Sequence, residues 1–308
     1  MNSPVVSVAL PLALAVIMFG LGLALTVDDF TRVARNPKAV AVALGCQMVV
    51  LPLVAFGLVL LFGLPPLLAV GMMLLAASPG GATANLFSHL FGGDVALNVS
   101  LTAVNSLLAV VTVPLITNLA IAHFDPVGEA GTVGLQFGKV VQVFALVLVP
   151  VLVGMALRRT ATRFAEAMDR PVRIASALLL MAVVLSAMVT ERGNVTDYLL
   201  DVGAITTIFC LISLTVGYQV PRLFGVRARQ AIACSMEVGV HNSAISITIA
   251  ISVLDSTEMA IPAAVYGVSM VPLAALVGWL ISRRVRSSAD AATGRGPRTA
   301  SAAPHPPS

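Results

Sequence analysis

Nine stretches of about twenty mostly apolar residues follow one another along this chain of 308 residues. Short segments that hold most of the charge separate them. An α-helix needs about 20 apolar residues to cross the hydrocarbon core of a bilayer, so every stretch is long enough to span one. The stretches are approximately 5–27, 39–62, 66–90, 95–122, 135–157, 172–190, 198–220, 229–254 and 260–282. The pattern predicts an all-α polytopic membrane protein with about nine transmembrane helices.

The composition excludes the other broad classes. Only 10% of the residues are charged and 58% are hydrophobic, whereas a soluble domain has roughly 25% charged residues. With 5% aromatic residues and one Trp, the chain also lacks the aromatic girdles of an outer-membrane barrel. The net charge of +4 does not indicate nucleic acid, because the basic residues lie in loops. We expect a monomer whose surroundings are the lipid bilayer.

The two ends of the chain differ in character. The first stretch is too long for a removable signal peptide and has no clear cleavage site, so we expect it to remain as a helix. The transmembrane domain is predicted over residues 1–286. Residues 287–308 are rich in Ala, Pro, Ser and Gly, a composition typical of a disordered tail.

Lys and Arg collect in cytoplasmic loops of membrane proteins. If the N-terminus is outside, the segments predicted to be inside hold 16 of the 18 basic residues. These are Arg32, Arg35, Lys38, Arg158, Arg159, Arg163, Arg170, Arg173, Arg222, Arg227, Arg229, Arg283, Arg284, Arg286, Arg295 and Arg298. We therefore predict an N-terminus outside, a cytoplasmic C-terminus and, for a bacterial protein, insertion in the inner membrane.

Two of the predicted spans contain sequences that interrupt a helix. The third carries Ser78, Pro79, Gly80 and Gly81 near its middle, and Pro and Gly disfavour helical backbone. The eighth carries Glu237, Gly239 and then His241-Asn242-Ser243. Broken helices in corresponding positions of two halves indicate a transporter site built on inverted repeats. Freed carbonyls there can coordinate a cation, while half-helix amino termini can face an anion.

Glu237 is the single carboxylate predicted inside a span rather than at its end. Such a group costs about 2.5–3.5 kcal/mol to insert, so we interpret it as functional. Other predicted spans supply further polar side chains, namely Gln47, Asn98, Thr102, Asn105 and Ser106. Their oxygens are the hard ligands that an alkali cation needs. The three cysteines, Cys46, Cys210 and Cys234, also fall in spans and are interpreted as buried thiols that pack as small apolar groups.

Several short motifs along nearly the whole chain resemble those of the bile acid:sodium symporter family. They are Met18-Phe19-Gly20-Leu21-Gly22-Leu23, Asp28-Asp29-Phe30, Asn36-Pro37-Lys38, Gln47 with Pro52, Pro79-Gly80-Gly81 with Asn85, Val95-Ala96-Leu97, Glu237-Val238-Gly239 and Asn242-Ser243. The resemblance implies inverted repeats that form a panel domain and a core domain. Spans 1, 5 and 6 would form the panel, and spans 2–4 and 7–9 the core. The interrupted third and eighth spans would cross within it.

The resemblance also implies two sodium sites. The first would use Asn85, Asn98, Thr102, Glu237 and the backbone of Ala84. The second would use Gln47, Glu237, carbonyls at Val238 and Val240, and His241. Four positions depart from the family pattern: the position of Ala84 usually carries a hydroxyl, that of His241 is usually Gln, that of Asn98 commonly carries a hydroxyl, and that of Ala82 is often Thr. The predicted substrate contacts at the two amino termini are Ala82, Thr83, Asn85, His241, Asn242 and Ser243.

The function that these residues predict is sodium-coupled symport of an organic anion by alternating access, with sodium as the coupling ion and no organic cofactor. Three alternatives stay open. Proton coupling would use His241 beside Glu237, and an efflux carrier would share the same broken helices. An intramembrane hydrolase would need Ser235, Glu237 and His241 as a triad, but Ser235 and His241 lie on different helix faces, so an enzyme is not expected.

Overall fold

The computed structural model describes residues 15–16, 18–20, 22–23, 33–126, 137–168, 171–172, 174–175, 178 and 195–293. Within these ranges every regular element is a helix. The helices, numbered here in chain order, are α1 Pro37–Gly45, α2 Leu51–Phe62, α3 Pro66–Ala77, α4 Ala82–Leu90, α5 Val95–Phe124, α6 Phe137–Thr160, α7 Val195–Leu223, α8 Ala228–Gly239, α9 Ser243–Ser252 and α10 Ile261–Thr293. A π-helical turn, Cys46–Val50, joins α1 to α2, and a 3₁₀ turn, Glu258–Ala260, precedes α10.

Local sequence signals set several helix ends. Pro37 and Pro66 begin α1 and α3, where the missing N–H costs nothing. Gly63 ends α2 in the left-handed conformation, with a φ of 61°, which glycine adopts without strain. The Asp94 carboxylate accepts the Leu97 N–H at 3.1 Å and so caps the start of α5. These signals explain why the predicted and observed boundaries agree closely.

The long helices and their surfaces are those of a membrane protein. Four apolar helices among the described residues are long enough to cross a bilayer, namely Pro37–Phe62, Val95–Phe124, Val202–Leu223 and Glu258–Val285. Large apolar side chains on their outer faces are open to the surroundings, for example Leu61 at 78% and Val268 at 77% exposure. Contiguous exposed apolar surface of this kind is stable against lipid and not against water. The chain is therefore an integral membrane protein.

Most predicted spans coincide with observed helices. Span 2 corresponds to α1 and α2 together, and spans 4, 5, 7 and 9 correspond in that order to α5, α6, α7 and α10. Span 3 appears as the pair α3–α4, and span 8 as the pair α8–α9. The first and sixth spans fall largely on residues outside the described ranges, so the count of nine stays a prediction. The final helix runs to Thr293, seven residues into the segment predicted as a disordered tail. Residues 284–293 contain Ala, Arg and Ser and no Gly or Pro, so nothing there ends the helix before Gly294. Residues 294–308 of the predicted tail lie outside the described residues, so the tail stays a prediction.

The broken helices lie at the centre of the packing. Helix α4 packs against α8, and α3 packs against α9, so each half-helix of one pair has a partner from the other. Helices α7 and α10 flank α8, while α5 contacts α3, α4 and α8. Helix α6 contacts α5 and meets the first predicted span, where a Cβ added to Gly22 would overlap the Val151 backbone. Such close backbone approach through glycine is typical of membrane helices.

Candidate functional site

Both predicted helix breaks are present. Helix α3 ends at Ala77, and Ser78 is extended with ψ near 143°. Its N–H and its hydroxyl both donate to the Leu75 carbonyl, at 3.0 Å and 2.7 Å. Helix α8 ends at Gly239, and α9 begins at Ser243 after the Asn242 cap. The interruptions predicted from Pro and Gly in one helix, and from the polar cluster in the other, are confirmed.

The two breaks meet and satisfy each other's backbone. Gly80 and His241 face each other in an isolated antiparallel bridge. The Gly81 N–H donates to the Val240 carbonyl at 3.2 Å, and the Asn242 N–H donates to the Pro79 carbonyl at 2.8 Å. Backbone without helical hydrogen bonds is tolerated inside a membrane protein only where other groups satisfy it. The crossing therefore stabilises two interruptions that neither helix could tolerate alone.

The crossing brings together four helix ends. Carboxyl ends come from α3 and α8, and amino ends from α4 and α9. Unpaired carbonyls make the first pair partly negative, and unpaired N–H groups make the second pair partly positive. The arrangement therefore offers places for both a cation and an anion close to one another.

Glu237 is buried beside this crossing, with 2% of its surface exposed. Asn98 Nδ2 donates to Oε2 at 2.9 Å, and the Thr102 hydroxyl donates to the same oxygen at 2.5 Å. Asn105 Nδ2 donates to Oε1 at 3.2 Å, and the Gly80 backbone adds another hydrogen bond to the carboxylate. One face of α5 thus holds both carboxylate oxygens, because its donors recur at intervals of three and four residues.

Gly80 leaves the space that the carboxylate occupies. A Cβ added at Gly80 would overlap the carboxyl carbon and Oε1 of Glu237 and lie 2.6 Å from Oε2. The neighbouring Gly81 differs, since a Cβ there would have its nearest atoms on Asn242 at 3.8 Å. Contact with Glu237 therefore requires a glycine at position 80 and places no such requirement on position 81.

Two amide oxygens in this region are buried without a hydrogen-bond partner. They are Oδ1 of Asn85, on α4, and Oδ1 of Asn98, on α5. A buried acceptor left unpaired costs about 1–3 kcal/mol, so such atoms call for an explanation. Oδ1 of Asn98 belongs to a side chain that already contacts the Glu237 carboxylate, as does the Thr102 hydroxyl, and such an oxygen-rich set suits a hard cation. Asn85 stays a predicted member of this set.

A second polar cluster lies on the other side of the crossing. Gln47, in the π-helical turn, donates through Nε2 to the Ser78 carbonyl at 2.9 Å. His241 Nδ1 lies 3.0 Å from the same carbonyl. Because a carbonyl only accepts, Nδ1 carries the proton and Nε2 holds the lone pair. Gln47 Oε1 and His241 Nε2 have no partner.

The remaining predicted residues lie at or near the crossing, with different surroundings. Val238, Val240 and Ala84 are fully buried, and the Val240 carbonyl already accepts the Gly81 N–H. Thr83 and Asn242 are partly exposed. Ser243 is buried and close to Gly267 of α10, so its hydroxyl faces a helix. The Ala82 side chain lies outside the described residues.

Sequence reasoning missed three groups at this site. The Ser78 carbonyl receives both Gln47 and His241. Phe209 and Tyr266 surround the imidazole, with ring centroids 5.5 Å and 5.4 Å from that of His241. Tyr266 also donates its hydroxyl to the Gly239 carbonyl at 2.7 Å. The sequence does not show which residues an aromatic side chain in an apolar span will contact. The one available signal was the hydroxyl of Tyr266, which needs a hydrogen-bond partner when it is buried.

Two of the alternative chemistries do not match the observed contacts. The polar contacts of Glu237 are with α5 and Gly80, and those of His241 are with Ser78 and Gln47. Glu237 and His241, which the proton-coupling alternative would use together, are therefore not in contact in this conformation. The Ser235 hydroxyl donates to the Leu214 carbonyl at 2.7 Å, so no Ser–His pair exists for a hydrolase. Cys46, Cys210 and Cys234 are free and buried, as expected.

Comparison with known proteins agrees with the resemblance seen in the motifs. A family model described as the Sodium Bile acid symporter family matches residues 11–198. The chain is 29% identical over 255 residues to the Uncharacterized sodium-dependent transporter YocS of Bacillus subtilis, covering 83% of this chain and 77% of that protein.

Two further relatives come from a plant and a mammal. The Probable sodium/metabolite cotransporter BASS2, chloroplastic, of rice is 28% identical, with 83% of this chain and 60% of that protein covered. The human Ileal sodium/bile acid cotransporter is 26% identical, with 80% of this chain and 70% of that protein covered. The family and these relatives are transporters and not enzymes. Because the family model spans more than half of the chain, this protein belongs to the sodium bile acid symporter family.

Proposed function

We propose that this protein is a secondary active transporter that couples sodium to the symport of an organic anion by alternating access. The observation that carries the proposal is the buried Glu237 carboxylate, held by Asn98 and Thr102 beside two crossing broken helices. Burying a carboxylate at this depth costs free energy. Its position among several helix ends allows it to bind a cation that compensates its charge. Sodium is here a transported ion.

The first sodium ion binds between α4, α5 and α8. Glu237 supplies the negative charge, and Thr102 and the unpartnered Oδ1 atoms of Asn98 and Asn85 supply neutral oxygens. Ala84 contributes at most its backbone carbonyl. A cation here satisfies the two orphaned acceptors and replaces hydrogen bonds that now hold the carboxylate. The region used for a second ion in the family corresponds to Gln47, Val238, Val240 and His241.

The organic anion binds at the amino ends of α4 and α9. Thr83 and Asn242 are partly exposed there, and the positive ends of two helices favour a carboxylate or sulfonate group. Ala82, Asn85, His241 and Ser243 complete the predicted contact set. Sodium binding orders the crossing, so tight anion binding follows it.

The moving parts follow the panel and core division. Spans 1, 5 and 6 form the panel, spans 2–4 and 7–9 form the core, and the two halves are inverted repeats with nine helices in all. The packing supports this division, because α6 meets the first span through Gly22 and Gly154 and contacts α5 of the core. Alternating access then moves the core against the panel and exposes the crossing to one side at a time.

The orientation follows from the basic loops. The protein resides in a bacterial inner membrane as a monomer, with its N-terminus outside and its C-terminus in the cytoplasm. Reporter fusions test the orientation: a fluorescent protein fused after Thr293 should fluoresce and a periplasmic phosphatase fused there should be inactive. The opposite result would reverse the topology.

The substrate class is an amphipathic or small organic anion. The names of two relatives are a sodium/bile acid and a sodium/metabolite cotransporter, so bile acids and small carboxylates such as pantoate are the first compounds to test. Purified protein would be screened by thermal shift against organic anions with and without sodium. We expect stabilisation that requires both.

Uptake into proteoliposomes then tests the coupling. We expect accumulation of the identified anion only under an inward sodium gradient, and loss of this accumulation in Glu237→Gln. Accumulation that persists without sodium but follows an acid-outside gradient and is lost in His241→Gln would favour proton coupling. Transport that requires substrate loaded inside the proteoliposomes would instead favour an efflux carrier.

A further inference from the structure

We infer that this protein binds one sodium ion at the crossing, because the His241 N–H group fills the place of a second cation. The inference rests on the proposed function and concerns its stoichiometry. Two oxygen clusters flank the crossing, one around Glu237 and one around the Ser78 carbonyl. Only the first is built to receive a cation.

The Ser78 cluster is already occupied by N–H donors. The Ser78 carbonyl accepts Gln47 Nε2 at 2.9 Å and His241 Nδ1 at 3.0 Å. Positive hydrogen atoms thus point at the oxygen that a cation would need. The Val240 carbonyl is likewise paired with the Gly81 N–H at 3.2 Å. The neutral oxygens left to the predicted second site are then Gln47 Oε1, which is unpartnered, and the Val238 carbonyl, and two neutral oxygens do not replace a hydration shell.

The position of the His241 ring is fixed by its neighbours. Phe209 stacks on it with an interplanar angle of 28°, and Tyr266 meets it edge to face at 75°. Tyr266 is itself anchored by the Gly239 carbonyl. The imidazole therefore cannot swing away to admit an ion without disturbing α7, α8 and α10.

The Glu237 cluster is different in charge and in open oxygens. It contains a carboxylate, and the Oδ1 atom of Asn98, whose Nδ2 contacts that carboxylate, is unpartnered. The Ser78 cluster shows no carboxylate contact. A buried cation needs a compensating charge. Among the described residues Glu237 is the buried carboxylate at the crossing, and its hydrogen bonds to α5 hold it in the first cluster, so its charge is placed for one ion.

The test counts sodium ions directly and needs no substrate. Equilibrium binding of radioactive sodium to the purified full-length protein in nanodiscs should give one ion per protein with a Hill coefficient of one. His241→Gln replaces the fixed N–H donor by an amide that can turn its oxygen toward Gln47 and should give two ions. His123→Gln, at the far end of α5 against Phe56, is the matched control and should leave one.

A further variant separates the two clusters. Gln47→Leu should still bind one ion, because Gln47 belongs to the cluster that takes none. Two ions in the wild-type protein, fewer than one in Gln47→Leu, or one ion in folded His241→Gln would each overturn the inference while leaving sodium coupling intact. No sodium binding by the wild-type protein would overturn the proposed function, and the inference with it.

Discussion

Replacing Gly80 by alanine tests the closest contact of the site, that between the crossing backbone and the Glu237 carboxylate. The added methyl group would overlap the carboxyl carbon and Oε1 and lie 2.6 Å from Oε2. The carboxylate cannot absorb this displacement freely, because Asn98 and Thr102 hold Oε2 by hydrogen bonds of 2.9 Å and 2.5 Å. The carboxylate must therefore move and weaken at least one of these hydrogen bonds.

The size of the effect follows from the cost of overpacking. Adding a methyl group to a well-packed interior costs about 1–3 kcal/mol. If that cost falls on the sodium-bound state, where the carboxylate must keep its place, the affinity for sodium decreases about 5- to 150-fold. If the cost falls equally on the sodium-bound and sodium-free states, the protein loses stability without a change in its affinity for sodium.

Sodium titrations of thermal stability, made on purified protein in detergent, measure both quantities. Gly81→Ala is the matched control, since its methyl group would lie 3.8 Å from Asn242 and Gly81 has an extended backbone that alanine adopts. Its expected cost is at most about 1 kcal/mol, from a poorer cap on α4. Equal stability together with equal sodium affinity in wild type and Gly80→Ala, or equal damage from both variants, would refute the reasoning.

Other expected outcomes concern single hydrogen bonds and buried thiols. Thr102→Val removes the donor at 2.5 Å from the buried carboxylate and should cost about 1–3 kcal/mol, seen as a lower melting temperature and weaker sodium stabilisation. Thr117→Val, on the same helix, removes a buried hydroxyl without a partner and should not lower the melting temperature; equal losses would contradict the assignment. Tyr266→Phe leaves the Gly239 carbonyl without its donor at 2.7 Å and should destabilise the protein by about 1 kcal/mol in chemical unfolding. The three buried cysteines should react with maleimide only after denaturation, and rapid labelling of the folded protein would show that they are open to solvent.

Much of the fold followed from hydrophobic length and helix punctuation. The spans predicted for α5 and α7 lie within the observed helices, and those predicted for α6 and α10 overlap theirs over almost the whole length, because a bilayer requires about 20 apolar residues for each crossing. The two breaks followed from Pro79 with its glycines and from the polar run that begins at Glu237. Helix α10 continues through residues 287–293, since composition alone does not mark the end of a helix.

The site was predictable in its members and less so in its contacts. The i, i+4 spacing of Asn98 and Thr102 placed both on one face, and both contact Glu237. Glu237 and His241 contact different groups in this conformation, although the two residues are four apart. The helix ends between them, and the chain then turns His241 toward Ser78. Helical spacing has no meaning across such an interruption.

The sequence by itself determined that the chain lies in a membrane, which segments form its long apolar helices, which two helices are broken and which carboxylate is buried. These properties depend on the local cost of placing apolar, polar and helix-breaking groups in lipid. Only the tertiary structure decided that Gly80 and His241 meet, that Glu237 is held by α5, and that the Ser78 carbonyl is already paired with His241. Those contacts join residues up to 163 positions apart, and their distances depend on how the helices pack rather than on any local preference of the chain.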